Sequence, residues 1–223
     1  TLRPSRHDPV SRLYPARQAR RFAAALRAAG WRPSGSGAGR RAAELFPALI
    51  EKELRRKRRA GIEHPEVEVG GIWAEAAERL AREDLIPARP SPRMIAAMAV
   101  EAEFRLNPVW PMPGAAETLR GLRRFGIRIG IVSNAQFYTP LLLRWLVRNG
   151  LLPDAFDPRL AVYSYALGEA KPSPRPLGKL LRALRRRFGI PPPETLCIGN
   201  DFRNDLLPAA RQPGKGFAHQ LLG

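Results

Sequence analysis

Three short polar clusters in a chain of 223 residues carry the residue types needed to bind an anion beside a metal ion. Ser133 and Asn134 stand in "IVSNA", Lys171 in "GEAKPSP", and Asn200, Asp201 and Asp205 in "IGNDFRND". A hydroxyl can donate a hydrogen bond to an anion, a lysine can neutralise its charge, and two carboxylates can hold a hard divalent cation. Each cluster also has a plainer reading. Ser133 or Asn134 could cap a helix, Lys171 could be a solvated loop residue, and Asp201 with Asp205 could favour a helix N-terminus. Their order favours chemistry, because each cluster directly follows a strand-like apolar run or the loop beyond one.

Those runs define the elements that must position the clusters. "IRIGIV", 127–132, is β-branched and suits a buried parallel strand; a second strand falls near 160–165, and "TLCIG", 195–199, is a third buried strand. Helical patterns cover 115–124, 138–148 and 174–188, the first closed by Gly126. Strands alternating with helices predict a parallel α/β sheet, and in such sheets ligands bind beyond the carboxyl ends of the strands. All three clusters fall there. Upstream, helical patterns run over 15–29, 40–59, 71–83 and 92–106, with Pro15 opening the first and Ser91–Pro92 the last. "RPSGSGAGR", 32–40, reads as a flexible linker, since no strand precedes its glycines as a phosphate-binding loop requires. No strand-like alternation occurs in 15–106.

Composition narrows the function classes. An apolar share of 44% is enough for a proper core. No apolar run reaches the roughly 20 residues that span a bilayer, so no membrane partner is expected. The single cysteine, Cys197, excludes an intramolecular disulfide framework and suits a reducing compartment, so the cytoplasm is the expected location. Cys197 itself is expected to be a small core residue. The net charge of +18 comes almost wholly from arginine. Its densest run, "LRRKRR" at 54–59, reads as a solvated helix face, and nucleic acid is not the expected partner because a basic patch lacks a reading element. His7, His64 and His219 share no ligand spacing, and no Gly-x-Ser-x-Gly elbow occurs. Trp31, Trp73, Trp110 and Trp145 are expected to pack.

"IVSNA", "EAKPSP" and "GNDFRND", in that order, resemble the second, third and fourth motifs of the haloacid dehalogenase-like hydrolases. "PMPGAAETLRGLRRFG" resembles the segment before the second motif. The resemblance implies an α/β fold, a Rossmannoid parallel-sheet core with an inserted α-helical cap. The expected division is 1–14 as a remnant of the core, 15–106 as the cap and 107–223 as the core, with the core's C-terminal end incomplete. It further implies that Ser133 binds the transferring group, with Asn134 beside it. Lys171 would neutralise nucleophile and phosphate, and Asp201 and Asp205 would hold Mg²⁺. Many members have aspartate directly after the glycine, where this chain has Asn200, which is a possible ligand in the other register. The family's nucleophile is an aspartate at the end of a strand before a Gly-Thr-Leu-like turn. This chain begins "TL", and Asp8, in "RHDPV", follows no strand and precedes proline. The nucleophile is therefore expected to be absent from this chain, and the chain to be inactive by itself. The expected function is Mg²⁺-dependent hydrolysis of a small phosphorylated metabolite through an aspartyl-phosphate. A 2-haloacid dehalogenase, an inactive relative and a basic binding protein are the alternatives.

Overall fold

The computed structural model describes residues 14–33, 37–87, 91–212 and 217–220. They divide into two units. One holds the residues up to Glu53 with Val69–Trp110, and the other holds Leu54–Glu68 with the residues from Pro111 onward.

The first unit is helical: α1 (Tyr14–Ala28), the larger part of α2 (Gly37–Arg59), α3 (Val69–Arg82) and α4 (Pro92–Leu106). Apolar residues at helical spacing give α3 one buried stripe, Ile72, Trp73, Ala76, Ala77 and Leu80. Trp73 stacks on Phe46 with ring centroids 4.1 Å apart, and Phe22 tilts against both. Ser91 caps α4 by accepting a hydrogen bond from the Met94 N–H at 3.3 Å. The expected linker at 32–40 is helical from Gly37 on. The reason is close packing, since a Cβ on Gly39 would lie 2.3 Å from the Ala19 carbonyl oxygen and 2.7 Å from the Ala23 Cβ. The glycine lets α1 and α2 touch.

The second unit is α/β. After α5 (Ala115–Arg124) come β1 (Ile129–Ser133), α6 (Tyr138–Arg148), β2 (Phe156–Tyr163), α7 (Ser164–Leu167) and α8 (Arg175–Phe188). Then follow β3 (Leu196–Gly199), a π-turn at Phe202–Leu206, α9 (Leu207–Ala210) and β4 (Phe217–Gln220). β1 pairs parallel with β2, Ser133 standing opposite Tyr163, and β3 pairs parallel with β4. Leu180 and Leu184 of α8 pack on Leu160 and Val162 of β2 to form the core of this unit. The parallel α/β expectation holds, and no described helix is long and apolar enough to cross a membrane.

Several local expectations do not hold. β4 carries no apolar run that would announce it. Leu196 and Ile198 of β3 are 53% and 55% exposed rather than buried, and β3 pairs along one edge only among the described residues. Cys197, between them, is half-buried. Trp31 and Trp73 are buried, but Trp110 and Trp145 are 75% and 50% exposed. α6 turns Leu146 inward, so Trp145, about 100° away round the helix, faces out. In the basic run Arg55, Arg56, Arg58 and Arg59 are exposed, while the Lys57 ammonium donates to the Glu66 carbonyl.

At the start of β2, Asp157 accepts from the Arg159 guanidinium at 2.7 and 2.9 Å and from the Arg159 N–H at 2.9 Å. These bonds, outweighing partial burial, lower its pKa from 3.8 to about 2. A carboxyl whose folded pKa is depressed stabilises the fold above its unfolded value and loses that contribution as pH falls through the folded one. Wild-type stability should therefore drop between about pH 4 and pH 2, with a shallower drop in Asp157→Asn, read from urea midpoints across that range. In the helical unit, Gly39→Ala should cost about 1–3 kcal/mol through overpacking. Gly121→Ala, in the open interior of α5, should instead gain about 0.5–1 kcal/mol in the same denaturation assay.

Candidate functional site

Ser133 is the last residue of β1, half-buried, and Asn134 begins the loop beyond it. Lys171 lies in the loop between α7 and α8. The two loops are joined by a reciprocal pair of hydrogen bonds. The Asn134 side-chain amide donates to the Lys171 carbonyl at 3.0 Å, and the Lys171 N–H donates to Asn134 Oδ1 at 2.7 Å. The Asn134 amide is thus committed to the backbone that carries the lysine. From there the Lys171 ammonium reaches inward, donating to the Val132 carbonyl at 3.1 Å and forming an ion pair with Asp205. Both side chains of the pair are nearly buried, 13% and 12% exposed.

Asp205 sits on the π-turn after β3, and its approach depends on a missing side chain. A Cβ on Gly199 would lie 2.3 Å from the Asp205 Cβ and 2.4 Å from its Oδ2. That Oδ2 accepts from the Asp201 N–H at 3.1 Å. Asp201 is exposed and caps the turn, its two oxygens accepting from the Asn204 N–H at 2.9 Å and the Asn204 side-chain amide at 2.7 Å. The backbone bond from Asn204, then the side-chain bond, hold the Asp201 carboxyl below the usual carboxylate range. The capping reading of this residue is realised. Asn200 is exposed at the end of β3, and Asp8 lies outside the described residues.

Sequence reasoning missed a second layer. The buried Ser164 hydroxyl donates to Glu66 Oε2 at 2.7 Å and accepts from the Ala135 N–H at 2.9 Å. Gln136 donates to the Val67 carbonyl at 2.9 Å. On its other side the same segment bonds the lysine loop, Ala170 N–H to the His64 carbonyl at 2.8 Å and Glu66 N–H to the Gly168 carbonyl at 3.0 Å. Residues 64–67 therefore clamp the loops that bear Asn134 and Lys171. No local signal marks Glu66 or Ser164, since they stand 98 positions apart.

The arrangement brings together side chains of the types that can contact an anion and a cation. It has a fixed ammonium, a hydroxyl at a strand end and two ionisable carboxylates on one turn. Among the described residues no group of three or more His, Cys, Asp or Glu side chains gathers as a closed metal cage. Mg²⁺ does not need one, because it commonly takes one or two carboxylates and keeps its other places for water and phosphate oxygens. Asp201 and Asp205 fit such an ion. A carboxylate oxygen has two lone pairs, so these oxygens keep capacity beyond the bonds they accept here, and the absent Cβ of Gly199 leaves the Asp205 carboxylate its room. Burial first, then the Asp205 charge, raise the Cys197 thiol pKa, which disfavours its thiolate.

A family model described as haloacid dehalogenase-like hydrolase matches residues 10–212. Ten solved chains match as well. One is a candidate beta-phosphoglucomutase from Bacteroides vulgatus, 19% identical, with a TM-score of 0.37. That match covers 85% of this chain but 63% of the other, so the present chain spans less than two thirds of that structure. Comparison with curated proteins gives no match.

The reciprocal bonds from Asn134 have a direct consequence. Asn134→Ala should free the lysine loop, and amide hydrogen exchange over 169–173 should speed up at least tenfold while exchange in α8 stays unchanged.

Proposed function

The chain belongs to the haloacid dehalogenase-like hydrolases, and from that premise we propose that its site serves Mg²⁺-dependent hydrolysis of a small phosphorylated metabolite through an aspartyl-phosphate. The observation that carries this reading is the network in which Asn134 fixes Lys171 and Lys171 pairs with Asp205, beyond the carboxyl ends of β1 and β3.

Each residue then has a role. The Lys171 ammonium neutralises charge on the transferring phosphoryl group, and the Ser133 hydroxyl donates to one of its oxygens. Asn134 acts through Lys171, holding its backbone so that the ammonium needs no reorganisation when the anion arrives. Asp201 and Asp205 would hold Mg²⁺, which supplies Lewis-acid neutralisation of phosphoryl oxygens. Asn200 takes the first ligand position only if the register shifts by one residue. The attacking aspartate of this reading is not among the side chains that the described residues gather at the site. In this reading 1–14 and 107–223 belong to the family's core and 15–106 to its helical cap, although residues 54–68 group with the α/β unit. A single cysteine suits a cytoplasmic location.

Release of p-nitrophenol from its phosphate ester tests the reading. The 223-residue chain should show no turnover with or without Mg²⁺. The same residues preceded by an apolar strand ending in aspartate should release phosphate in a Mg²⁺-dependent manner, and Lys171→Ala should lower that rate about 10²–10³-fold. Metal-independent halide release from a 2-haloacid by the extended chain would overturn the assignment.

A further inference from the structure

α8 (Arg175–Phe188) carries six basic residues and no acidic one. All six are exposed, while Leu177, Leu180 and Leu184 turn into the core. At about 100° per residue, Arg175, Lys179, Arg182 and Arg186 fall within about 60° of one another round the helix. They make a straight cationic line on the face opposite the leucines, with Arg185 and Arg187 on either side of it. From Arg175 to Arg186 the line runs about 16 Å.

Two more guanidiniums stand at the C-terminal end of α8. Arg128, just before β1, and Arg159, on β2, have their guanidinium carbons 4.0 and 4.8 Å from the centroid of the Phe188 ring. That ring and Asp157 hold both in place, the carboxylate 2.7 Å from Arg159 and 3.8 Å from Arg128. Among the described residues the carboxylates that pair with these cations are Asp157 and Glu169, the latter 3.1 Å from Arg175. Six net positive charges remain (eight cations less two carboxylates).

Helix stability gives no reason for such a line. Cations favour the last turn of a helix, where Arg185, Arg186 and Arg187 stand, but not the first turn, where Arg175 stands. Arg175 with Lys179, and Arg182 with Arg186, are like charges four residues apart, which weaken a helix. A ligand of opposite charge spread over the same length turns that repulsion into attraction.

We propose that this face of α8 binds the phosphodiester backbone of a nucleic acid, without regard to sequence. One strand carries a charge about every 3.4 Å of rise, so the line faces about five phosphates. Most of the cations are arginines, whose planar fork bonds phosphate oxygens two at a time. Such binding needs no reading element, because phosphate contacts carry no sequence information. A lipid surface fits less well, since the leucines of α8 pack inward and are not free to enter a bilayer. A second copy of the chain, at +18, has the wrong sign. This binding does not depend on the reaction proposed for the site around Lys171.

Fluorescence anisotropy tests it, with labelled DNA and RNA duplexes of about 20 base pairs titrated with the 223-residue chain across a salt series. The slope of log affinity against log salt should be about −4 to −5 on DNA, and two unrelated sequences should bind within about threefold. The triple variant Lys179→Gln, Arg182→Gln, Arg186→Gln should bind at least tenfold more weakly, with a slope shallower by about 2–3. Its urea midpoint should match or exceed the parent's, because repulsion has been removed, and this separates lost binding from lost folding. The control Arg20→Gln, Arg27→Gln, Arg40→Gln removes the same charge from exposed positions of the helical unit and should keep the parent's slope. Equal losses in the two triple variants would overturn the proposal, since net charge alone would then be the cause. So would a parent chain that binds neither duplex, or polyglutamate that competes as well as unlabelled duplex. A triple variant that binds duplex like the parent but no longer attaches to phosphatidylglycerol vesicles would also overturn it, in favour of a lipid surface.

Discussion

The ion pair between Lys171 and Asp205 is the constraint on which the second unit's architecture turns. Both groups are nearly buried, and taking two charges out of water is tolerable only if each neutralises the other and its remaining valences are bonded. That condition is met in detail. The ammonium has the Val132 carbonyl as a second acceptor, and the carboxylate has the Asp201 N–H as a second donor. Removing either charge would leave the other stranded, so the pair sets requirements on every loop around it. Asn134 must grip the backbone of the lysine, and Gly199 must lack a side chain where the carboxylate rests.

Around this pair the polar groups form layers rather than a list of contacts. The ammonium and carboxylate are innermost. Asn134 and Asp201 hold the backbones that carry them, and Glu66, Ser164 and Gln136 hold the loops in turn. Such nesting converts flexible connections into a fixed frame, and a site that must stabilise a developing charge gains most when its dipoles and cations are already in place. The cost of the arrangement lies in stability. Leu196 and Ile198 remain exposed, and strand edges stand unpaired among the described residues, while the leucines of α8 and β2 supply the compact part of the core.

Much of this was legible in the chain because the signals are local. The 3.6-residue stripe of Ile72, Trp73, Ala76 and Leu80 announces α3, and the Ser91–Pro92 pair announces the start of α4. β-branched runs announce β1 and, less sharply, β2. The order of Ser133, Lys171 and Asp205 after successive strands pointed to one rim, and the ion pair joins two of them there. What escaped was decided at a distance. Gly39 looked like part of a linker because nothing nearby shows that another helix passes within contact of it. The pairing of Glu66 with Ser164 has no periodicity to betray it. "FAHQ" becomes β4 because β3 offers it an edge, not because of its own pattern. Trp110 and Trp145 carry apolar bulk that composition alone assigns to a core, whereas their placement leaves them at the surface.

The central claim, that Lys171 and Asp205 act as one unit, is tested most directly by a double-mutant cycle in equilibrium urea unfolding. The four proteins are the parent chain, Lys171→Met, Asp205→Asn and the combined variant. Groups in contact couple by about 0.5–3 kcal/mol, whereas independent sites add to within about 0.5 kcal/mol. The account predicts that each single variant is markedly destabilised and that the double variant loses at least about 1 kcal/mol less than the sum of the two. Losses that simply add, within about 0.5 kcal/mol, would contradict it.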